Sequence, residues 1–203
     1  STQEQRHVYY DRDLEIEAYN LGGIVQKFPN HFHEFYVLGF IEGGKRHLWC
    51  RGKEYDVAAG DLILFNPRDN HYCAPINGEI LDYRAVNINP EIMVKMAGEI
   101  TGKEFTPYFI HNVIYQSDIT RSLTGLYNAI LNHAPKLEKE EAFFFLLDQV
   151  FQEHVMPFDE ISVSEPDQQI KLLCTYMEEH YSKNIQLDDL VAMTNFSKSY
   201  LLR

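Results

Sequence analysis

The sequence predicts a mainly β N-terminal barrel or sandwich followed by helices, on three observations. Short runs rich in β-branched and aromatic residues alternate with turn signals up to about residue 90. Past residue 115 the apolar period lengthens to that of an amphipathic helix. Finally, the stretch NHFHEFYVLGF, residues 30–40, places two histidines two apart at the entrance to an almost unbroken apolar run. On a strand such a pair shares one face, because successive side chains alternate.

In chain order, HEFYVLGFI reads as a strand closed by Gly43-Gly44, and KRHLWC as one closed by Arg51-Gly52-Lys53. EYDVA is closed by Ala59-Gly60, and DLILF by NPRDN. Aspartate and asparagine favour turns and proline cannot donate to a ladder, so NPRDN ends its strand. Closely spaced strands of this kind form an all-β sandwich or barrel. Leu123, Leu126, Tyr127, Ile130 and Leu131 then recur at helical spacing, as do Phe143, Leu146, Leu147, Val150 and Phe151 after the loop APKLEKE. These make a helical hairpin over 116–158 with a broad apolar face. The loop MPFDEISVSEP reads as a domain linker, assigned to 159–168 with the boundary near residue 160. A further helix follows, with Ile170, Leu173, Cys174, Met177 and Tyr181 on one face.

At 203 residues, 45% of them hydrophobic, the chain can bury a real core, and general disorder is excluded. No segment has signal-peptide or membrane-span character, which predicts a soluble cytoplasmic protein without a membrane partner. Cys50, Cys73 and Cys174 are odd in number and lack CxxC spacing, so reduced thiols are expected. The formal charge of −12 opposes nucleic-acid binding, but it is unevenly placed. From Asp167 onward four basic residues meet five acidic ones, leaving −11 on residues 1–166.

A third histidine arrives in GDLILFNPRDNHYC, where a glycine turn, a strand and a proline turn precede His71. An antiparallel partner strand would set it opposite the first pair. Together these stretches resemble the two motifs of the cupin superfamily, a glycine-bounded H-x-H strand and a G-x(5–6)-P-x(3)-H strand, over residues 20–90. The resemblance implies a cupin-like double-stranded β-barrel over 1–115. Enzymatic cupins continue the first motif with a glutamate, whereas Val37 and Leu38 stand at those positions and Glu34 would face the other way. His31, His33 and His71 are therefore candidates for a divalent metal, with Cys73 as a fourth ligand, or for contact with an organic ligand, or for packing. No resident cofactor is expected. The inward faces give His31, His33, Trp49, His71, Cys73 and Tyr83 as ligand-binding candidates, with Glu42 and Arg84 behind them as charges that a turn leaves solvated.

In IQLDDLVAMTNFSKSYLLR, residues 185–203, a short helix with Leu187, Leu190 and Val191 inward leads to a turn at Thr194-Asn195-Phe196. A second helix opens at Ser197, a good N-cap. This is a helix-turn-helix pattern. The segment resembles the AraC family pattern L-x-x-L-A-x-x-x-G-x-S-x-x-Y-L-x-R at Leu187, Leu190, Ser197, Tyr200, Leu201 and Arg203, with Val191 and Asn195 in place of alanine and glycine. With the barrel and the hairpin, the chain resembles AraC-family transcriptional regulators. That resemblance implies a small-molecule effector in the barrel, a homodimer joined through the hairpin, and DNA contacts from Ser197, Lys198, Ser199, Tyr200 and Arg203. Residues 169–203 would then be a truncated first helix-turn-helix, and operator DNA a partner of the full-length protein but not of this fragment. The competing reading is a metal-dependent cupin enzyme of dioxygenase or isomerase type.

Overall fold

The computed structural model describes residues 4–157, 165–183, 185–194 and 196–201. Two sheets build the N-terminal part. The larger contains β1 (Gln5–Asp11), β2 (Ile16–Ile24), β4 (Tyr36–Gly43), β7 (Leu62–Phe65), β9 (Leu81–Ile88) and β11 (Val113–Ile114), in the order β1-β2-β9-β4-β7-β11. The smaller contains β3 (Phe28–His31), β5 (Lys45–Cys50), β6 (Lys53–Ala58) and β8 (His71–Pro75), in the order β3-β8-β5-β6. Every strand pairing is antiparallel.

The apolar run of β4 has no polar face because both of its faces are covered. Val37 and Ile41 pack with Leu48, Cys50 and Val57 of the smaller sheet, while Tyr36, Leu38 and Phe40 pack toward the helices. Strand alternation thus divides the larger sheet between two cores. The second core is closed by α1 (Pro90–Thr101), α2 (Ile119–Leu131) and α3 (Lys136–His154). Helix α1 falls inside the stretch assigned to the barrel and was not anticipated there. Pro90 at its first turn and Gly102 just past its end, at φ 78°, are the residues that start and stop a helix. A short ladder of β10 (Pro107–Phe109) and β12 (Val155–Pro157) joins the α1 exit to the α3 exit.

The hairpin stripe is spent inside the molecule. Leu126 and Leu147 have no exposed surface and Ile130 has 4%, because both helices lie on the sheet. Leu131, expected on that stripe, is instead exposed, and the apolar residues left outward on α3 are Leu137 and Phe145. A buried ion triad ties the start of α3 to the β1–β2 turn. Lys139 Nζ lies 2.5 Å from Asp11 Oδ2 and 2.6 Å from Asp13 Oδ2, with Lys139 and Asp11 both buried. Asp11 Oδ1 also accepts the backbone N–H groups of Asp13 and Leu14, each at 3.0 Å.

The chain divides into two compact units after residue 160. The second contains α4 (Glu165–His180), α5 (Leu187–Ala192) and α6 (Lys198–Leu201). Of the expected apolar face only Leu173 is buried, whereas Ile170, Cys174 and Met177 of α4 and Tyr181 just past its end are exposed. Asp189 reaches back to the Gln186 N–H at 2.9 Å to open α5, and Lys198 of α6 pairs with Asp188 of α5. Asn195 and Arg203, to which the sequence assigns a turn and a DNA contact, lie outside the described residues, as do 158–164, the last residue assigned to the hairpin and the first part of the linker.

Candidate functional site

His31 ends β3, directly opposite His71 at the start of β8. His33 follows in the connection to β4, so the H-x-H pair is not one continuous strand. The three rings nevertheless converge, with centroids 4.3 Å (His31–His71), 5.0 Å (His31–His33) and 5.2 Å (His33–His71) apart. Their nearest ligand nitrogens all lie within 4.8 Å of one another. Phe65 stacks on His71 at 3.8 Å and Phe35 on His33 at 5.1 Å, fixing both ring planes.

Hydrogen bonds set the tautomers. His31 Nδ1 donates to the Pro29 carbonyl at 2.7 Å and His71 Nδ1 to the Asp69 carbonyl at 2.8 Å. Each Nδ1 therefore carries a proton, and each Nε2 presents a lone pair. Burial, reinforced by the neighbouring imidazoles, pulls His33 and His71 down to about 4, so both are neutral near pH 7.

The histidines line one part of a cavity of about 250 Å³ between the two sheets. Cys73 and Tyr83 line it too, so the structure brings together five of the six ligand-binding candidates. Trp49 is the exception. Arg46, Leu48 and Cys50 are the buried residues of β5, which turns Trp49 to the outer face against Tyr72, at 6.1 Å. Inside, Arg46 is fully buried and donates to the carbonyls of Ile24 and, at 3.0 Å, Gln26. Cys73 pairs with Phe28 and Leu48 in the ladders and stands outside the histidine cluster, and burial pushes its thiol up to about 11. Neither position nor charge suits it as a fourth ligand. Glu42 and Arg84 were expected to be solvated lone charges, but they pair at 2.8 Å, with Arg84 also over the Tyr127 ring at 4.9 Å. Glu34 is exposed and pairs with Arg68 at 3.2 Å, facing away from the histidines.

Three polar lining residues escaped the sequence reading: Glu17, Tyr19 and Asn87. The alternation of Glu17, Tyr19 and Leu21 along β2 was the available signal. Asn87 donates to Glu17 at 3.1 Å, while its buried Oδ1 has no partner. Tyr83 and Tyr19 share a hydrogen bond, and burial raises both phenols. Tyr83 lies so close over β4 that a Cβ at Gly39 would stand 1.9 Å from its hydroxyl oxygen.

Asp69 is the knot behind His71. Its Oδ2 accepts from Asn66 N and Nδ2 and from Asn112 Nδ2, each at 3.0 Å, and Arg51 lies 3.3 Å from its Oδ1. Burial still raises its pKa against those donors. Asn66 in turn clasps both backbone groups of Phe109 on β10, accepting at 2.7 Å and donating at 3.1 Å.

Residues 13–147 match the family described as AraC-like ligand binding domain, and the chain belongs to that family of regulators. Over 200 residues, 98% of this chain and 73% of the relative, it is 46% identical to the uncharacterized HTH-type transcriptional regulator YbfI of Bacillus subtilis (strain 168). Among solved structures, it is similar to an RmlC-like cupin family protein with a double-stranded β-helix fold from Methanocaldococcus jannaschii. The identity is 15%, over 43% of this chain and 84% of that one, with a TM-score of 0.37. A cupin protein from Bacteroides fragilis aligns with 16% identity over 44% of this chain and 80% of that one, also with a TM-score of 0.37. No helix among the described residues is long and apolar enough to cross a membrane.

Proposed function

We propose that the chain is the sensing part of a cytoplasmic, homodimeric transcription regulator, whose barrel binds a small effector and whose C-terminal helices begin the DNA-binding unit. The observation that carries this reading is the inter-sheet cavity: about 250 Å³, walled by apolar side chains and provided with a few convergent polar groups, as a small-molecule site requires. His31, His33, His71, Cys73 and Tyr83 contact the effector. Operator contacts come from Ser197, Lys198, Ser199, Tyr200 and Arg203 within a complete helix-turn-helix domain. The dimer uses the outward side of the hairpin, where Leu137 and Phe145 are exposed, since the inward stripe covers the sheet.

The lining also selects the effector's chemistry. The Nε2 atoms of His31 and His71, the Glu17 carboxylate and the orphan Asn87 Oδ1 all accept hydrogen bonds, while the Tyr19–Tyr83 pair has one hydroxyl hydrogen to spare. A ligand rich in hydroxyl or amine donors satisfies this set; a carboxylate does not. A thermal-shift panel of small polyols, amines and carboxylates tests the reading. Polyols or amines should stabilise the parent and not His71→Ala, whereas stabilisation by carboxylates alone would contradict it.

The histidine cluster favours a second reading, in which His31, His33 and His71 hold a divalent cation. Neutral imidazoles with carbonyl-anchored Nδ1 atoms suit zinc, nickel or iron. Such a metal would also serve a cupin enzyme of dioxygenase or isomerase type. Among the described residues, however, no carboxylate joins the three histidines, and Val37, at a glutamate position of enzymatic cupins, is apolar and buried.

A further inference from the structure

Well away in sequence from the cavity motifs, two more histidines meet where the first unit ends. His111 follows β10 and His154 is the last residue of α3. Their Nδ1 atoms stand 3.4 Å apart, with the rings nearly perpendicular at 81°. That separation is beyond the roughly 2.7–3.2 Å of an ordinary protein hydrogen bond. It matches two ligands of one tetrahedral ion, because metal–nitrogen bonds of about 2.0–2.1 Å at the tetrahedral angle set the nitrogens about 3.4 Å apart. From this geometry we infer that His111 and His154 form a second metal site, one for a transition-metal dication of the zinc or nickel type.

The surroundings hold the pair in place and favour a cation. On one side of His111 the Ile110 N–H donates to the His154 carbonyl at 3.0 Å. On the other, the buried Asn112 side chain is pinned to the Leu64 carbonyl at 2.9 Å and to Asp69 at 3.0 Å. His154 stands at the C-terminal end of a 19-residue helix, where unpaired carbonyls create negative potential. Glu153 lies 4.0 Å from His154 Nε2, which favours the proton on that nitrogen and leaves the Nδ1 lone pair for the ion. Imidazole donors exclude magnesium and calcium as the preferred ions, and water fills the remaining positions. The bound ion would staple the exit of β10 to the end of α3, at the residues that lead into β12 and out of the unit.

Equilibrium dialysis of metal-stripped, tag-free protein against zinc chloride, read by elemental analysis, tests the site. His111→Ala is the deciding variant, because His111 is exposed and its removal leaves the core untouched. It should bind one zinc fewer per chain than the parent, while His33→Ala, which disables the cavity cluster, should retain the ion that His111→Ala loses. Zinc should also raise the melting temperature of His33→Ala and leave that of the His33→Ala/His111→Ala double variant unchanged. Equal zinc binding by His111→Ala and the parent, or no zinc on the parent at all, would overturn the inference. The first result leaves both readings of the cavity untouched, whereas a zinc-free parent also counts against a cation on His31, His33 and His71 and leaves the effector reading in place.

Discussion

Replacing Lys139 by methionine keeps the length of the side chain and removes its charge, which strands the Asp11 carboxylate in the contact between the β1–β2 turn and α3. Removing one partner of a buried pair costs about 3–5 kcal/mol. The lower end applies here, since Asp11 retains two backbone N–H donors and Asp13, at 41% side-chain exposure, is free to turn to solvent. For a chain of this size about 3 kcal/mol corresponds to a fall in Tm of roughly 6–12 °C. Urea titration and thermal melts of Lys139→Met would measure it. Adding Asp11→Asn removes the stranded charge while keeping an Oδ1 acceptor for the turn, and should restore more than half of the loss. A loss below about 1 kcal/mol, the value of a solvated pair, would refute the reasoning, as would a double variant weaker than the single one. The pH dependence has a definite sign. Despite desolvation, Lys139 and the backbone donors lower Asp11 below 3.8, so its contribution is present above that value and disappears as pH falls through the lowered pKa. Desolvation acts on Lys139 as well, but the two aspartates raise it above 10.5, so its contribution is present below that value and disappears as the raised pKa is passed. The difference between parent and Lys139→Met should hold across neutral pH, shrink above 10.5, and shrink on the acid side from the point where the variant's stranded Asp11, raised by burial, takes up its proton.

Because His33 and His71 are held near 4 against 6.5 for a free imidazole, the unfolded chain takes up protons first. The contribution of the pair to stability, read by urea titration as the difference between the parent and a double His33→Ala/His71→Ala variant, should fall as pH drops from about 6.5 to about 4 and change no further below that. Gly39→Ala should displace the Tyr83 ring, cost about 1–3 kcal/mol as an overpacked core does, and weaken any ligand that stabilises the parent, as calorimetry would detect. In sedimentation, Phe145→Glu should yield folded monomers, whereas Leu126→Glu, buried on the sheet, should unfold the chain as seen by circular dichroism.

The strands and the hairpin were legible because their signals are local. DLILF and NPRDN announce a strand and its end, and the 3.6-residue period of α2 and α3 announces helices. What that period could not say was what covers the stripe, because an apolar face reads the same against a sheet of its own chain as against a second subunit. The histidine cluster was legible from two motifs, even though β3 stops before His33. Trp49 was misplaced for a specific reason. In KRHLWC both faces carry plausible interior residues, and the face that turned inward holds an arginine whose two terminal nitrogens donate to backbone carbonyls. The β10–β12 ladder had no sequence signal, since its paired residues lie 46 to 50 positions apart, Pro107 with Pro157 at one end and Phe109 with Val155 at the other, and each strand is only three residues long.

Asp69 serves two neighbourhoods with different ends of itself. Its carbonyl orients a cavity histidine, and its carboxylate holds the asparagines that grip β10 and the loop beyond. In a screen that scores ligand binding and folding separately, substitutions at codon 69 would therefore not sort cleanly with binding defects or with folding defects. An asparagine there keeps the carbonyl but sets an amide among amides, so its damage would surface first at Phe109. A glycine keeps the backbone link and abolishes every side-chain one. An allelic series at this one position would separate what the cavity feels from what the exit of the barrel feels, without altering any residue that lines the cavity.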